Sequence, residues 1–394
     1  MNLEKAINFI FSSINAFPIV ENIKTHQSYG RVLAENLSSP RDIPPFDNSQ
    51  VDGYVVNSSD INQHESFVIS QRIPAGFPGT NLQPSTVARI FTGACIPENS
   101  DSVVMQEETQ LVDKKVTFKS KIIPGQFIRK KGSDLKKNQI FFETGRLLTA
   151  ADVGMCASVG FENIKVFKKL RVAVFSSGDE LKQPGENLDD GQIYDSNRPM
   201  IKSLVSSMGC DVIDMGCIPD DFNQTKEFLL NASKNVEVIL TCGGVSVGEE
   251  DHIRSAVESL GEIHMWKIEM KPGKPFAFGS IGSAAFLGMP GNPVSAWVTF
   301  VLLCRPYLIK RSGGVTTKNN FFPVECDFDR FKSSDRREFL RGRIMSNGKL
   351  SVYKNQNSQI LSSVCFSNGL IELPPGKIIK KGDKLNFYPF SEIS

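Results

Sequence analysis

Apolar residues recur at helical spacing in the first segment, MNLEKAINFIFSSINAF, with Glu4 and Lys5 among them. That pattern predicts an amphipathic N-terminal helix and not a secretory signal. From about residue 41 to 131 the texture changes to short apolar runs, VDGYVV, SFVISQRI, TVARIF, DSVVMQ and KVTF, each broken by Gly or Pro. Such a pattern predicts a small β-rich domain. A helix is predicted over 149–159, where Thr149 can cap the start and Gly160 can stop the end. At Leu170 the pattern shifts again. LRVAVFSSGDEL, VEVILTCGGVSVGEED and AAFLGMPGNPVSAWVTFVLL each read as buried strand, glycine-rich loop and helix, and helical periodicity over 198–208 and 225–233 fills the gaps. Strands alternating with helices predict a parallel α/β sheet, with ligands at the carboxyl ends of its strands. After Arg311 short strands return in FFPVECDF, EFLRGRIM, LSVYKN, GLIELP and KLNFYPF. The predicted fold class is therefore multi-domain α/β plus β. A linking domain of helical and extended chain would cover 1–40 and 132–168, a β-rich domain 41–131, an α/β domain 169–311 and a C-terminal β domain 312–394.

Charge narrows the partners. Among 394 residues, 45 are basic and 43 acidic, for a net charge of +2, so neither nucleic acid nor an anionic membrane is an expected partner. Eight cysteines are scattered without a C-x-x-C pair, which predicts buried reduced thiols and no zinc site. No apolar run is long enough to span a bilayer, and 294–303 fits a buried helix. A cytoplasmic location is the expectation.

The candidate chemistry lies in the loops after the three strands. In TCGGVSVGEED, Gly243 and Gly244 would let backbone N–H groups approach a phosphate, although a tight strand-to-helix turn needs the same glycines. The loop fits neither a Walker A nor a G-x-G-x-x-G pattern. Its GVSVG also matches a nucleophile elbow at Ser246, but only His252 and His264 follow, both close by. Asp179 and Glu180 in SSGDEL, Asp220 and Asp221 in IPDD, Asp134 and Asp251 are separate acids near glycines or strand ends. They could cap helices, or share a Mg²⁺–phosphate site that needs only one or two carboxylates. Lys267, Lys271 and Lys274 surround Pro272 and Gly273 in WKIEMKPGKP, either as a solvated basic loop or as a stiff cationic loop for an oxyanion. In LGMPGNPVS, Asn292 can cap a helix whose first turn holds Pro293 and Ser295, a start suited to an anion. Acids for a metal and cations for an anion point to phosphate or oxyanion chemistry.

Along nearly its whole length the chain resembles the molybdopterin molybdenumtransferases, the MoeA family, to which the E domain of gephyrin-like proteins also belongs. FDNSQVDGYVV, ARIFTGACIPENSDSVVMQEE, RKKGSDLKKNQ, SSGDEL, GQIYDSN, CGGVSVGEEDH, MKPGKPFAFG and LGMPGNPVSA look like the family's segments and follow its order. The resemblance implies an elongated, four-domain homodimer with its active site in a cleft built from both subunits. It implies a central molybdopterin-binding-like domain. It also implies insertion of molybdate into adenylylated molybdopterin with release of AMP, Mg²⁺ as cofactor, and the molybdopterin adenylyltransferase as a partner. Family roles then fall on matching positions. Asp52, Thr92, Asp134, Glu180, Asp251, Lys267 and Lys271 are the implied catalytic residues. Asp134, Asp220 and Asp251 are the implied metal ligands. Lys274, Pro275, Pro290, Pro293, Ser295, Arg336, Ser358, Gly243, Gly244 and Ser246 are the implied substrate and molybdate contacts. Arg341 of RREFLRGR also looks oxyanion-facing, and Arg337 could replace Arg336.

Some positions depart from the family pattern. Ser177 stands where threonine is usual, Cys242 where serine is common and Ser133 where an acid is usual, and QNSQIL lacks the glycine before its serine. Three other readings compete: a molybdopterin adenylyltransferase, a gephyrin-like scaffold, and a hydrolase using Ser246. The flanking domains weigh against the first, the lysine and carboxylate loops against the second, and the spacing of the histidines against the third.

Overall fold

The computed structural model describes residues 1–14, 18–61, 64–245, 252–315 and 320–393. The chain forms two compact units, one of 1–34, 145–150 and 163–394 and the other of 35–144 and 151–162.

The smaller unit is built on a six-stranded sheet whose strands include Gly53–Val56, Phe67–Ile73, Thr86–Ile90, Ser102–Met105 and Lys115–Phe118, the runs that alternation singled out. Its sheet is mixed, since Phe67–Ile73 runs parallel to Thr86–Ile90 and the other pairs are antiparallel. Val55, Ala88 and Ile90 pack in one apolar cluster and Tyr54, Val56 and Val87 in another, the two-sided burial that a period of two produces. The expected helix runs over Ala150–Val159, and Gly160 ends it with φ +97°.

In the larger unit the N-terminal helix Leu3–Ser12 starts at Asn2, whose side-chain oxygen accepts the Lys5 N–H at 2.9 Å. The α/β region follows, with β1 (Arg171–Ser177), α1 (Asn197–Ser207), β2 (Asp211–Ile218), α2 (Phe222–Ser233), β3 (Val238–Cys242), α3 (His252–Leu260), β4 (Gly261–Lys267), β5 (Pro275–Ile281), β6 (Ala284–Met289) and α4 (Pro293–Thr299). Sheet order is β2-β1-β3-β6-β5-β4. The first four strands are parallel, as expected, but β5 is antiparallel to both β6 and β4. The cause is local. Gly282, at φ +58°, lets the chain reverse directly from β5 into β6 with no crossover helix between them. Successive residues alternate between two cores. Val172, Val174, Val238 and Leu240 face one, and Ala173, Phe175 and Ile239 the other, so the parallel strands are covered on both faces. The apolar stretch after α4 is helical, as predicted. It continues through a π-helical turn over Phe300–Cys304 into Arg305–Arg311, and all its residues from Val294 to Cys304 are buried.

The C-terminal part is a second sheet of β7 (Phe322–Glu325), β8 (Arg337–Ile344), β9 (Leu350–Val352), β10 (Gly369–Leu373) and β11 (Lys384–Pro389). Met270–Lys271, between β4 and β5, adds a short parallel strand to β8, pairing Met270 with Arg337 and Lys271 with Glu338. Phe339 and Leu370 belong to the same apolar core as Met270, Phe276 and Trp297. The basic loop is thus held between two packed sheets. All eight cysteines are free. Five are buried as expected, but Cys95 and Cys217 are half-buried and Cys365 is exposed. Among the described residues no helix is long and apolar enough to cross a membrane.

Candidate active site

Where the basic loop meets the C-terminal sheet, the larger unit encloses a cavity of about 470 Å³. Lys271, Lys274, Arg330, Arg336 and Arg341 line it together with a single carboxylate, Glu338. Five cations against one anion make it a site for negative charge. The loop can sit this close because residue 273 is glycine. Its φ is +102°, and a Cβ would lie 2.5 Å from Met270 Cε and 2.6 Å from Thr299 Oγ1. Lys274 makes no ion pair among the described residues. Lys271 Nζ lies 2.5 Å from Glu338 Oε1, and Arg330 Nη2 lies 2.6 Å from Glu338 Oε2.

Arg341 is 1% exposed. Its Nε donates to Ser363 Oγ at 3.0 Å, its Nη1 to the Phe339 carbonyl at 3.2 Å and its Nη2 to the Asn357 carbonyl at 3.4 Å. Burial pushes its guanidinium down to about 10, against the pull of the Glu338 charge. The neighbouring arginines, Arg336 just before β8 and Arg337 at its start, have different partners. Arg336 lines the cavity and donates to the Met270 carbonyl at 3.5 Å, whereas Arg337 is taken by Glu4 and by Glu372, the latter at 3.2 Å. The cavity lining and the carboxylate partners of Arg337 therefore favour Arg336 over Arg337 as the anion contact.

Pro275, Ser295 and Ser358 also line the cavity, while Lys267, Pro290 and Pro293 do not. Asn292 occupies the N-cap position of α4 without capping it. Its amide donates instead to Ser358 Oγ at 3.2 Å, and the Val294 N–H donates to the Ser358 carbonyl at 3.0 Å. The helix start expected to receive an anion thus spends that N–H on the C-terminal domain, which in turn fixes the Ser358 hydroxyl. Sequence reasoning missed Arg330, Glu338, Gln356 and Asn357. None of them lies in a glycine or proline motif, and only the folded sheet brings them to the cavity.

A second cluster forms at the carboxyl ends of β1, β2 and β3. Ser177 Oγ donates to Asp220 Oδ1 at 2.7 Å, and the Asp220 N–H donates to Asp179 Oδ1 at 3.2 Å. Serine at 177 thus supplies the hydroxyl that threonine would. Gly243, at φ +105°, donates its N–H to the Met289 carbonyl at 3.0 Å, and a Cβ there would lie 3.0 Å from the Ser177 carbonyl. Gly244 packs on Ile253, and Glu180 is exposed on the same loop as Asp179. Ser246 and Asp251 lie outside the described residues.

Asp52, Thr92 and Asp134 belong to the smaller unit, and all three are exposed. Asp52 Oδ1 accepts both the N–H and the hydroxyl of Thr92, each at 2.8 Å. Those two donors hold the Asp52 carboxyl below its ordinary value. Among the described residues no three His, Cys, Asp or Glu side chains converge to hold a metal.

Residues 1–160 match the MoeA N-terminal region (domain I and II), 173–310 the probable molybdopterin binding domain and 323–390 the MoeA C-terminal region (domain IV). The chain is 38% identical to the molybdopterin molybdenumtransferase of Haemophilus influenzae, across 95% of this chain and 94% of that one. The chain belongs to the MoeA family of molybdopterin molybdenumtransferases. The protein of that name from a Nostoc species is 34% identical, across 88% of this chain and 83% of that one. The crystal structure of a molybdopterin biosynthesis MoeA protein from Pyrococcus horikoshii superposes with a TM-score of 0.80 at 30% identity, covering 99% of both chains. Family and fold agree with the order of motifs read from the sequence.

Proposed function

We propose that this chain inserts molybdate into adenylylated molybdopterin with release of AMP, completing the molybdenum cofactor. The observation that carries the reading is the five-cation cavity inside a chain of this family. In this reading molybdate enters the cavity and meets the Lys274 ammonium and the Arg336 and Arg341 guanidiniums. Ser358, held by Asn292, offers it a hydroxyl, and Ser295 and Pro275 shape the wall. Such preorganised donors lower the barrier because they need not reorient as charge moves. The pterin and its phosphoanhydride lie over the β1 and β3 loops, where Gly243 and Gly244 leave room and Glu180 and Asp220 project. Water or a molybdate oxygen attacks the phosphoanhydride and AMP leaves, and the two dithiolene sulfurs displace oxide ligands of molybdate, which depart with the thiol protons as water.

Mg²⁺ needs only one or two carboxylates alongside water and phosphate oxygens, and Asp220 with its Ser177 hydrogen bond offers one. The metal would offset charge on the departing phosphate. Asp134 and Asp251 complete the proposed ligand set, and Lys267 contributes a further positive charge. Asp52 and Thr92 remain proposed catalytic residues, and the proposal includes a cytoplasmic homodimer whose cleft draws on both subunits. The adenylyltransferase that supplies the substrate is the proposed protein partner. We divide the chain at 1–40 with 132–168, 41–131, 169–311 and 312–394.

The test is AMP release from adenylylated molybdopterin with Mg²⁺, with and without molybdate, for the wild type and Lys274→Ala. Release that depends on molybdate and drops by at least about 100-fold in the variant supports the reading. Equal release by both proteins removes the cavity from the mechanism.

A further inference from the structure

We propose that Glu338 is an electrostatic brake on the anion cavity, a built-in carboxylate that occupies Lys271 and Arg330 until a substrate anion competes for them. The inference rests on the reading of this cavity as the molybdate site. Glu338 is 2% exposed, and both of its partners line the cavity. One oxygen faces Lys271 at 2.5 Å and the other Arg330 at 2.6 Å, so a single carboxylate spans two cations that come from different domains. Neither cation is saturated by it. The Lys271 side chain remains half exposed, and Arg330 Nε is buried with no acceptor among the described residues.

Two roles are open to a buried carboxylate between two cations. As a structural tie alone, its loss would loosen the basic loop and weaken anion binding. The geometry argues for more than a tie, because Met270–Lys271 is already joined to β8 by parallel strand pairing and by a shared apolar core. The loop is held without the ion pair. What Glu338 adds is negative charge in the wall of a cavity built for an oxyanion. It repels the anion and keeps two of the five cations engaged, so molybdate binds reversibly and the cavity does not retain whatever anion arrives first. It also aligns Lys271 and Arg330 before the anion enters, which makes it a positioning residue.

The brake has a sign that a structural tie lacks. Glu338→Gln keeps the shape and loses the charge. Dialysis of the full chain against radiolabelled molybdate should find binding about tenfold tighter in Glu338→Gln, since a like charge within a few ångströms of a bound anion is worth at least that. The apparent molybdate KM for AMP release should fall with it. Glu338→Asp, which retains the charge, should stay near the wild type. Arg330→Met leaves the carboxylate with Lys271 alone and should weaken binding by about threefold or more. If Glu338→Gln folds and binds molybdate no more tightly than the wild type, the proposal is overturned. Should that variant fail to fold, unchanged binding by Arg330→Met would overturn it instead. Absence of molybdate binding in every protein, wild type included, would overturn the molybdate-site reading along with it, which separates the two failures.

Discussion

Replacing Arg341 by methionine separates anion binding from folding. Burial lowers this guanidinium from 12.5 to about 10. That corresponds to a penalty of roughly 3 kcal/mol on the cation while the cavity is empty. A lowered basic group is disfavoured in the folded state at every pH below its folded value. The penalty is therefore complete at neutral pH and fades only as pH rises from about 10 to 12.5. Methionine fills similar volume and removes the penalty. It also strips donors from Ser363 Oγ and from the carbonyls of Phe339 and Asn357, at about 1 kcal/mol each. The two effects nearly cancel, and unfolding in urea is expected to change by no more than about 1 kcal/mol. Molybdate binding is a different matter. A cation within about 4 Å of an anion in a site of intermediate dielectric contributes about 2–4 kcal/mol once desolvation is discounted, or roughly 30- to 700-fold in Kd. Urea unfolding and molybdate dialysis on the same preparation measure both quantities. A variant several kcal/mol less stable that binds molybdate as tightly as the wild type would refute the reasoning and make Arg341 a structural residue.

Other outcomes follow from the same geometry. Gly273→Ala places a Cβ against Met270 and Thr299, so the loop must shift at a cost of about 1–3 kcal/mol; a raised molybdate KM with an intact far-UV spectrum is expected, and an unchanged KM would count against the loop's role. Asp52→Asn should cut AMP release by at least about 100-fold without loss of folding. Mixing it with Lys274→Ala should restore part of the activity if two subunits share each site, and no recovery in a mixed dimer would exclude a shared site. Asp214 is pushed down to about 2, burial opposing the shift while Lys202, the Gly216 N–H and Arg198 drive it. Its stabilisation is therefore complete above pH 4 and is lost as pH falls toward 2. With Asp214 about one-third exposed, roughly 1 kcal/mol is at stake. Urea unfolding of Asp214→Asn and wild type should differ at pH 6 and converge near pH 2; an equal difference at both would remove the ion network as the cause.

Much of this arrangement was legible in the sequence because it is local. Strand and glycine loop adjoin in sequence, so β1, β3 and β6 with their loops could be read directly. So could the stiff Lys271 to Lys274 segment. The helix expected within SSGDEL is absent, because Leu181–Lys182 pairs with Ile193–Tyr194 as a short strand and the helix starts only at Asn197. The antiparallel β5 was not legible, because PFAFGSI reads equally as a tail to the basic loop until its pairing with Ala284–Met289 is known. Arg330 and Glu338 were hidden for another reason. Glu338 meets Lys271 across a strand pair more than sixty residues apart in sequence, Arg330 joins them through Glu338, and no local pattern records that meeting. The cap at Asn292 was misread on the same ground, since the side chain prefers a distant partner, Ser358, to its own helix.

The most direct test of the central claim is stoichiometry: purified protein with adenylylated molybdopterin and Mg²⁺, titrated with molybdate, while AMP and dithiolene-bound molybdenum are measured together. The account requires the two products to rise in parallel, one for one, and neither to form without molybdate. AMP released without molybdenum insertion, or insertion without AMP, would contradict it.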